Sequence, residues 1–336
     1  KLQPEDDMKK NLKTHAFTMA EILISLTIIG VIAAITLPAL RANINESTWN
    51  TQRKALYSRM SQAISMMPTL NGYGIGATDE ETASIATEAF ITNGLSKVLK
   101  IKNICDNDNL SKCGISNNIK SFSNNNFSTF PRTIYEFNPT INKAASNVAI
   151  RPPHSVNTNV AAMETINGES IAVFYNPYCV NSELSFRTGT AASGDLANQP
   201  HFYMFPYMCA NFVYDLNGLK GPNKVGKDIG IMTAVYPTES ILAMPVPKNI
   251  SQSMLSYNDA KKYCRNLKLK LPNIAEGISL EMNYRFLDLD ATSGRNAFWL
   301  LEKKSSNYAW LMVHSYFFAS GIVIITRPFY VLCIER

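Results

Sequence analysis

From Ile22 to Leu40 the chain runs for 19 residues without a charge, about the length a helix needs to cross a bilayer core. Lys9, Lys10 and Lys13 precede this run, and one acid, Glu21, stands at its head. The pattern predicts a membrane-spanning helix over 22–40, kinked where Pro38 removes a backbone donor. Beyond it Trp49, Leu56, Met60, Ile64 and Met67 recur at helical spacing and form one apolar stripe. Arg53, Lys54 and Arg59 lie off that stripe, and Pro68 followed by the glycines at 72, 74 and 76 ends it. Together these segments predict one long helix over 17–70.

The pattern then shortens. Residues 71–240 read as a globular domain built on an antiparallel sheet, with a short helix at 88–100 and strands near 170–175 and 201–207. Residues 117–131 are rich in Asn and Ser and read as a surface loop. Pro237, Pro245 and Pro247 discourage regular structure, which places a linker at 241–249. After it come a helix at 257–267, a second opening at Leu271, and β-prone runs at 297–300, 308–313, 322–325 and 330–334. The expected class is α+β: a long N-terminal helix packed on an antiparallel sheet, followed by a small α+β domain at 250–336.

Composition narrows the function. The chain has 336 residues, 46% of them apolar and 17% charged, enough for more than one core. The net charge of +6 is spread out, without a basic run or an interleaved aromatic stripe, so no nucleic-acid partner is expected. Six cysteines allow many pairings, and neighbourhood in sequence favours Cys105–Cys113, Cys179–Cys209 and Cys264–Cys333. None has the Cys-x-x-Cys spacing of a zinc or redox centre. His15, His154, His201 and His314 stand apart from any nucleophile or carboxylate motif, and no hydrolase, metalloprotease, phosphate-loop or dinucleotide fingerprint occurs. The chain does not read as an enzyme.

The order of segments at the N-terminus is informative. The small residue Ala16 precedes the apolar run, so cleavage after it leaves the helix on the mature chain, unlike an ordinary secretory signal. Ala16, then Phe17-Thr18-Met19-Ala20-Glu21, the apolar run and Pro38 resemble the type IV pilin and pseudopilin family, with Ala16 where Gly is usual. The leader is then 1–16, with Met8 as its natural start. The resemblance implies cleavage by a prepilin peptidase between Ala16 and Phe17 and methylation of the new amine. It also implies assembly with other pilin or pseudopilin subunits, in which Glu21 meets a neighbour's amine. The chain would sit in a bacterial inner membrane before assembly and in the periplasm or an extracellular pilus afterwards.

Two further stretches carry candidate sites. Asp215, Asn217, Gly218 and Asp228 gather oxygen ligands on one tight loop, as hard cations such as Ca²⁺ require. Its Gly221-Pro222-Asn223 centre is similar to pseudopilin loops, some of which hold structural calcium. The same residues also suit a metal-free Asx-and-Gly turn. Toward the C-terminus, Tyr263-Cys264, Leu271-Pro272-Asn273, Phe298-Trp299, Ala309-Trp310 and the closing Val331-Leu332-Cys333-Ile334-Glu335-Arg336 resemble bacterial C-type-lectin-like domains. That resemblance also accounts for Cys264 with Cys333. The calcium-and-sugar motif Glu-Pro-Asn or Gln-Pro-Asp is missing, so calcium-mediated sugar binding is not implied. Tyr308, His314, Tyr316, Phe318, Ile324, Thr326, Arg327 and Phe329 crowd one hairpin and its return. They either fill a small core or form a ligand-binding face for a cell-surface, protein or glycan ligand. The placement resembles the windows that diversity-generating retroelements vary. The combined expectation is a minor or tip pilin displaying a lectin-like adhesin, with a type II secretion pseudopilin as the alternative.

Overall fold

The computed structural model describes residues 18–71, 86–123, 129–137, 157–177, 187–190, 200–203, 207–236, 240–273, 276–277, 279–280, 283, 286, 297–303, 306–313, 319–324, 326 and 328–335. The chain divides after Asn50 into two compact units, Lys1–Asn50 and Thr51–Arg336.

Helix α1, Met19–Asn71, begins in the first unit. There its large apolar side chains from Ile22 to Ile32 are between 45% and 62% exposed. Pro38 falls within the helix, but its side chain and most of those over 35–45 lie outside the described residues. Among the described residues no helix is long and apolar enough to cross a membrane. In the second unit Leu56, Met60, Ala63, Ile64 and Met67 are buried, as the stripe predicts.

The expected architecture is corrected here. The sheet-bearing unit does not carry a long N-terminal helix along its face. The anchored helical stretch spans about 24 residues, 46–69, and the other helices are short. The physical reason lies in the pattern of side chains. A run that is apolar all round offers no single face for one-sided burial, whereas the later stripe does. The structure is mixed α+β around a six-stranded sheet.

Before that sheet come a short helix α2, Ala86–Ala89, a π-turn at Phe90–Gly94 and a 3-10 turn at Leu95–Lys97, matching the helix expected near 88–100. The sheet contains β1 (Ile101–Cys105), β2 (Ala161–Thr165), β3 (Ser170–Tyr175), β6 (Tyr207–Asp215), β7 (Ile229–Tyr236) and β8 (Ser240–Ala243), in that spatial order and antiparallel throughout. All six residues of β3 are buried, so this central strand is covered on both faces. A separate ribbon pairs β4 (Arg187–Thr190) with β5 (Pro200–Tyr203). A 3-10 helix, Asn107–Cys113, is clamped to β1 by the Cys105–Cys113 disulfide, and α3 (Ile134–Phe137) follows. Ile119, Ser121 and Phe130 are buried, so the stretch read as a surface loop contributes to the core.

The proline-rich stretch read as a linker supplies β8 and then β9, Pro247–Ile250. Pro247 occupies the first position of its strand, where a missing donor is tolerated. β9 pairs with the last strand, β13 (Leu332–Ile334), and between them lie α4 (Tyr257–Asn266) and the three-stranded sheet β10 (Ala297–Lys303), β11 (Tyr308–Val313), β12 (Ala319–Ile324). Ser256 caps α4, accepting from Asp259 N at 3.4 Å. Cys264–Cys333 ties α4 to β13. Tyr257, Ala260, Cys264, Leu271, Trp299, Ala309 and Val331 pack around that bond. A larger core runs without a break from Phe137 and Phe174 beside the first sheet to Leu280, Phe286, Phe298, Leu300 and Ile334. The rings of Phe137 and Phe286 lie 5.2 Å apart.

Candidate functional site

The head of α1 is closed locally. Thr18 N and Thr18 Oγ1 both donate to Glu21 Oε2 at 2.9 Å, and Glu21 N donates to Thr18 Oγ1 at 3.3 Å. This reciprocal arrangement is a capping box, which satisfies donors that the first helical turn leaves open. Within the chain Glu21 is thus partnered by Thr18. The Thr-x-x-Glu spacing was its signal. Ala16 and Phe17, the residues of the expected cut, lie outside the described residues.

The β6–β7 connection is the most strongly constructed polar site. β6 ends at Asp215, opposite Ser170, and Gly218 takes a left-handed φ of 63° directly after Asn217, turning the chain back. Asp228 is fully buried, and its two oxygens accept from Lys224 N at 2.9 Å and Asn223 N at 2.8 Å. Asp215 is 4% exposed, and its Oδ1 accepts from Asn217 N at 3.0 Å. The amide of Asn217 is oriented by its Nδ2, which donates to Gly221 O at 2.9 Å.

Three oxygens are left over. Asp215 Oδ2, Asn217 Oδ1 and Asn223 Oδ1 are buried and accept no hydrogen bond. Burial pushes the Asp215 carboxyl up to about 7, and the negative charge of Asp228 adds to this against the opposing N–H groups of Asn217 and Gly218. Buried acceptors without donors are costly, and three of them on one loop is the donor set a hard cation takes up. Asn223 joins the residues singled out from sequence. Its signal was an Asn after Gly-Pro, here held at a left-handed φ of 51°. Among the described residues no group of three or more His, Cys, Asp or Glu side chains is suited to a metal. Any cation here would rest on two carboxylates and on amide oxygens.

The loop is braced from outside. Arg53 of α1 donates to Lys227 O at 2.6 Å, and Lys120 N donates to Asn223 O at 2.8 Å. Tyr214, one residue before Asp215, packs so closely over Gly230 that a Cβ there would lie 2.1 Å from its hydroxyl.

The C-terminal residues expected to bind a ligand are only partly gathered. Tyr308 lies at the start of β11 and pairs in register with Ile324 at the end of β12, so those two positions adjoin. Thr326 is exposed. Phe329 is half-buried and meets Trp299 edge-on at 5.2 Å, which assigns it to the module's core. His314, Tyr316, Phe318 and Arg327 lie outside the described residues. Trp299 itself is buried, and its Nε1 donates to Leu255 O at 2.8 Å. Of the expected disulfides, Cys105–Cys113 and Cys264–Cys333 are formed, and Cys209 is disulfide-bonded, while Cys179 lies outside the described residues. Compared with known families, curated proteins and solved structures, the chain matches none.

Proposed function

We propose that this chain is a pilin-like filament subunit that assembles through its apolar N-terminal segment and displays its C-terminal module to a ligand. The observation that carries the proposal is the exposed apolar surface from Ile22 to Ile32 behind a capped acid, Glu21. Exposed apolar area of this extent calls for a bilayer or other helices. Assembly would then exchange the Thr18 bonds of Glu21 for the amine of a neighbouring subunit, after cleavage between Ala16 and Phe17. The displayed module is closed by Cys264–Cys333, and its ligand face would lie around Tyr308, Ile324 and Thr326. The proposal assigns no catalytic step to the chain.

The β6–β7 loop fits a structural Ca²⁺, held by Asp215, Asn217, Asn223 and Asp228. The ion would neutralise a buried carboxylate pair and fix a loop that α1 and residue 120 already brace. The pseudopilin reading draws on a different observation, the core shared between the first sheet and Leu280, Phe286, Phe298 and Ile334. A module so joined serves as a rigid head for a secretion piston as readily as for an adhesin.

The test is co-expression with a prepilin peptidase and recovery of the sheared surface fraction. The chain is expected there, and Glu21→Ala is expected to remain in the membrane fraction. Equal recovery of both would overturn the assembly role of Glu21.

A further inference from the structure

Helix α1 reaches the β6–β7 loop through Arg53. The side chain is half-buried, and its Nη2 donates to Lys227 O at 2.6 Å. The same guanidinium donates to the hydroxyl of Tyr214, which is buried. Lys227 directly precedes Asp228, and Tyr214 directly precedes Asp215. One cation from the helix therefore ties the residues next to both buried carboxylates. Side chains alternate across a strand, so the Tyr214 ring faces α1 and the Asp215 carboxylate lies on the opposite face of β6. Arg53 cannot ligate a cation itself; it acts on the loop through its neighbours.

The register shows what Arg53 holds. Tyr214 stands opposite Gly230 and Asp215 opposite Ile229, and Leu216 N donates to Asp228 O at 3.0 Å, closing the base of the loop. Beyond that base Asp228 accepts from Asn223 N and Lys224 N, and Lys227 N donates to Lys224 O at 3.0 Å. The Lys227 carbonyl is thus aimed at α1 only while the segment gathered around Asp228 keeps its fold. That same fold buries Asp215 Oδ2, Asn217 Oδ1 and Asn223 Oδ1 without donors. Unsatisfied buried acceptors weigh against the closed loop until a cation takes them up.

We infer that cation binding by the β6–β7 loop and the docking of α1 on the sheet are one coupled equilibrium, with Arg53 as the positioning residue that links them. The inference rests on the structural-calcium reading of this loop. A cation on the three oxygens holds the loop closed and presents Lys227 O to Arg53. Arg53, steadied by Tyr214, favours the closed loop and so favours the cation. By linkage the two effects are equal in size. The other polar anchors of α1 lie elsewhere. Tyr57 OH donates at 3.1 Å to Ile241 O on β8, opposite Ala234 and well along β7 from the loop, and Arg59 pairs with Glu169 beside the β2–β3 turn. Of these three anchors, Arg53 is the one that meets the cation loop. Calcium-rich surroundings would lock the joint between helix and sheet, and calcium-poor ones would loosen it.

The experiment uses the full chain in detergent and compares the wild type with Arg53→Ala, Arg53→Lys and Tyr57→Phe. Calcium affinity is read by isothermal titration. Helix docking is read by amide hydrogen exchange at residues 51–60, in chelator and in about 1 mM Ca²⁺, the range of extracellular calcium modules. Arg53→Ala should raise the Kd for Ca²⁺ by about tenfold or more, as loss of an outer partner does. Arg53→Lys keeps a donor for Lys227 O and should recover part of that affinity. Tyr57→Phe removes an α1 bond away from the loop and should leave the Kd within about twofold. In the wild type Ca²⁺ should slow exchange at residues 51–60 by about tenfold, and in Arg53→Ala that slowing should be lost. A folded Arg53→Ala chain that binds Ca²⁺ as tightly as the wild type would overturn the coupling. So would a Tyr57→Phe chain weakened as much as Arg53→Ala. Wild-type exchange that ignores bound Ca²⁺ would overturn it too, and this readout needs no variant, so it decides even where Arg53→Ala folds poorly. A wild type that takes up no Ca²⁺ in the titration would overturn the calcium reading of the loop itself, and the inference with it.

Discussion

Asp215 gives the sharpest test of the β6–β7 loop. Its carboxyl stands at about 7 against an ordinary 3.8, chiefly through burial. At 1.36 kcal/mol per pH unit that gap amounts to roughly 4 kcal/mol between the two protonation states. The sign follows from linkage. A carboxyl raised in the folded state contributes stability that is fully present below about 3.8 and lost as pH rises through about 7. In chelator, the wild type should therefore lose stability steadily from about pH 4 to pH 7. Asp215→Asn, which cannot ionise, should show a flatter profile over that window and surpass the wild type near pH 8. Added Ca²⁺ narrows the gap by stabilising the wild type alone, because a ligand at about a hundred times its Kd adds about 2.7 kcal/mol. Urea unfolding of the detergent-solubilised chain across this range, with chelator or calcium, provides the assay. Parallel profiles for wild type and variant in chelator would refute the buried charge. Calcium that stabilises neither protein, or both equally, would refute the site.

Four other perturbations follow from packing and charge. Gly230→Ala should cost about 1–3 kcal/mol by overpacking, since the new Cβ meets Tyr214 Oη and Cζ at 2.1 and 2.4 Å; a melt unchanged within a degree would contradict it. Replacing both Cys264 and Cys333 with Ser opens a link 69 residues apart in sequence, and the chain-entropy relation predicts a loss of about 4 kcal/mol, checked by denaturation under non-reducing conditions. Arg59→Ala strands the buried Glu169 carboxylate, at about 2 kcal/mol once the partial exposure of Arg59 is discounted, and the double variant with Glu169→Gln should recover part of it. Thr18→Ala removes the capping box and should lower helix content at the start of α1 by about 1 kcal/mol of local stability, read by amide exchange at residues 19–22.

Much of the local structure was legible because local rules governed it. Alternation and β-branched residues marked β3 and β11, whose observed bounds, Ser170–Tyr175 and Tyr308–Val313, coincide with the expected runs. The spacing of Leu56, Met60, Ile64 and Met67 identified a buried stripe, and Cys264 with Cys333 identified a link between α4 and the last strand. The misjudged features depended on partners distant in sequence. Pro245 and Pro247 suggested a linker, yet β8 finds β7, and β9 finds β13 more than eighty residues downstream. The Asn-rich stretch concealed Ile119, buried beside the bridge from residue 120 to residue 224, and Phe130, buried against Phe174. The length of the N-terminal helical pattern suggested packing along the sheet, although only the one-sided stripe after residue 46 had a face to bury. In the candidate site, the carboxylates were evident from spacing, but the unsatisfied oxygen of Asn223 required the loop's geometry.

The central claim, assembly through the exposed apolar segment, is tested most directly by the mass of the N-terminal peptide of chain recovered from sheared surface material. A peptide beginning at Phe17 and carrying one added methyl group is the predicted result. A chain found there that still carries residues before Phe17, or one recovered only uncut from membranes while the peptidase processes other subunits, would contradict it.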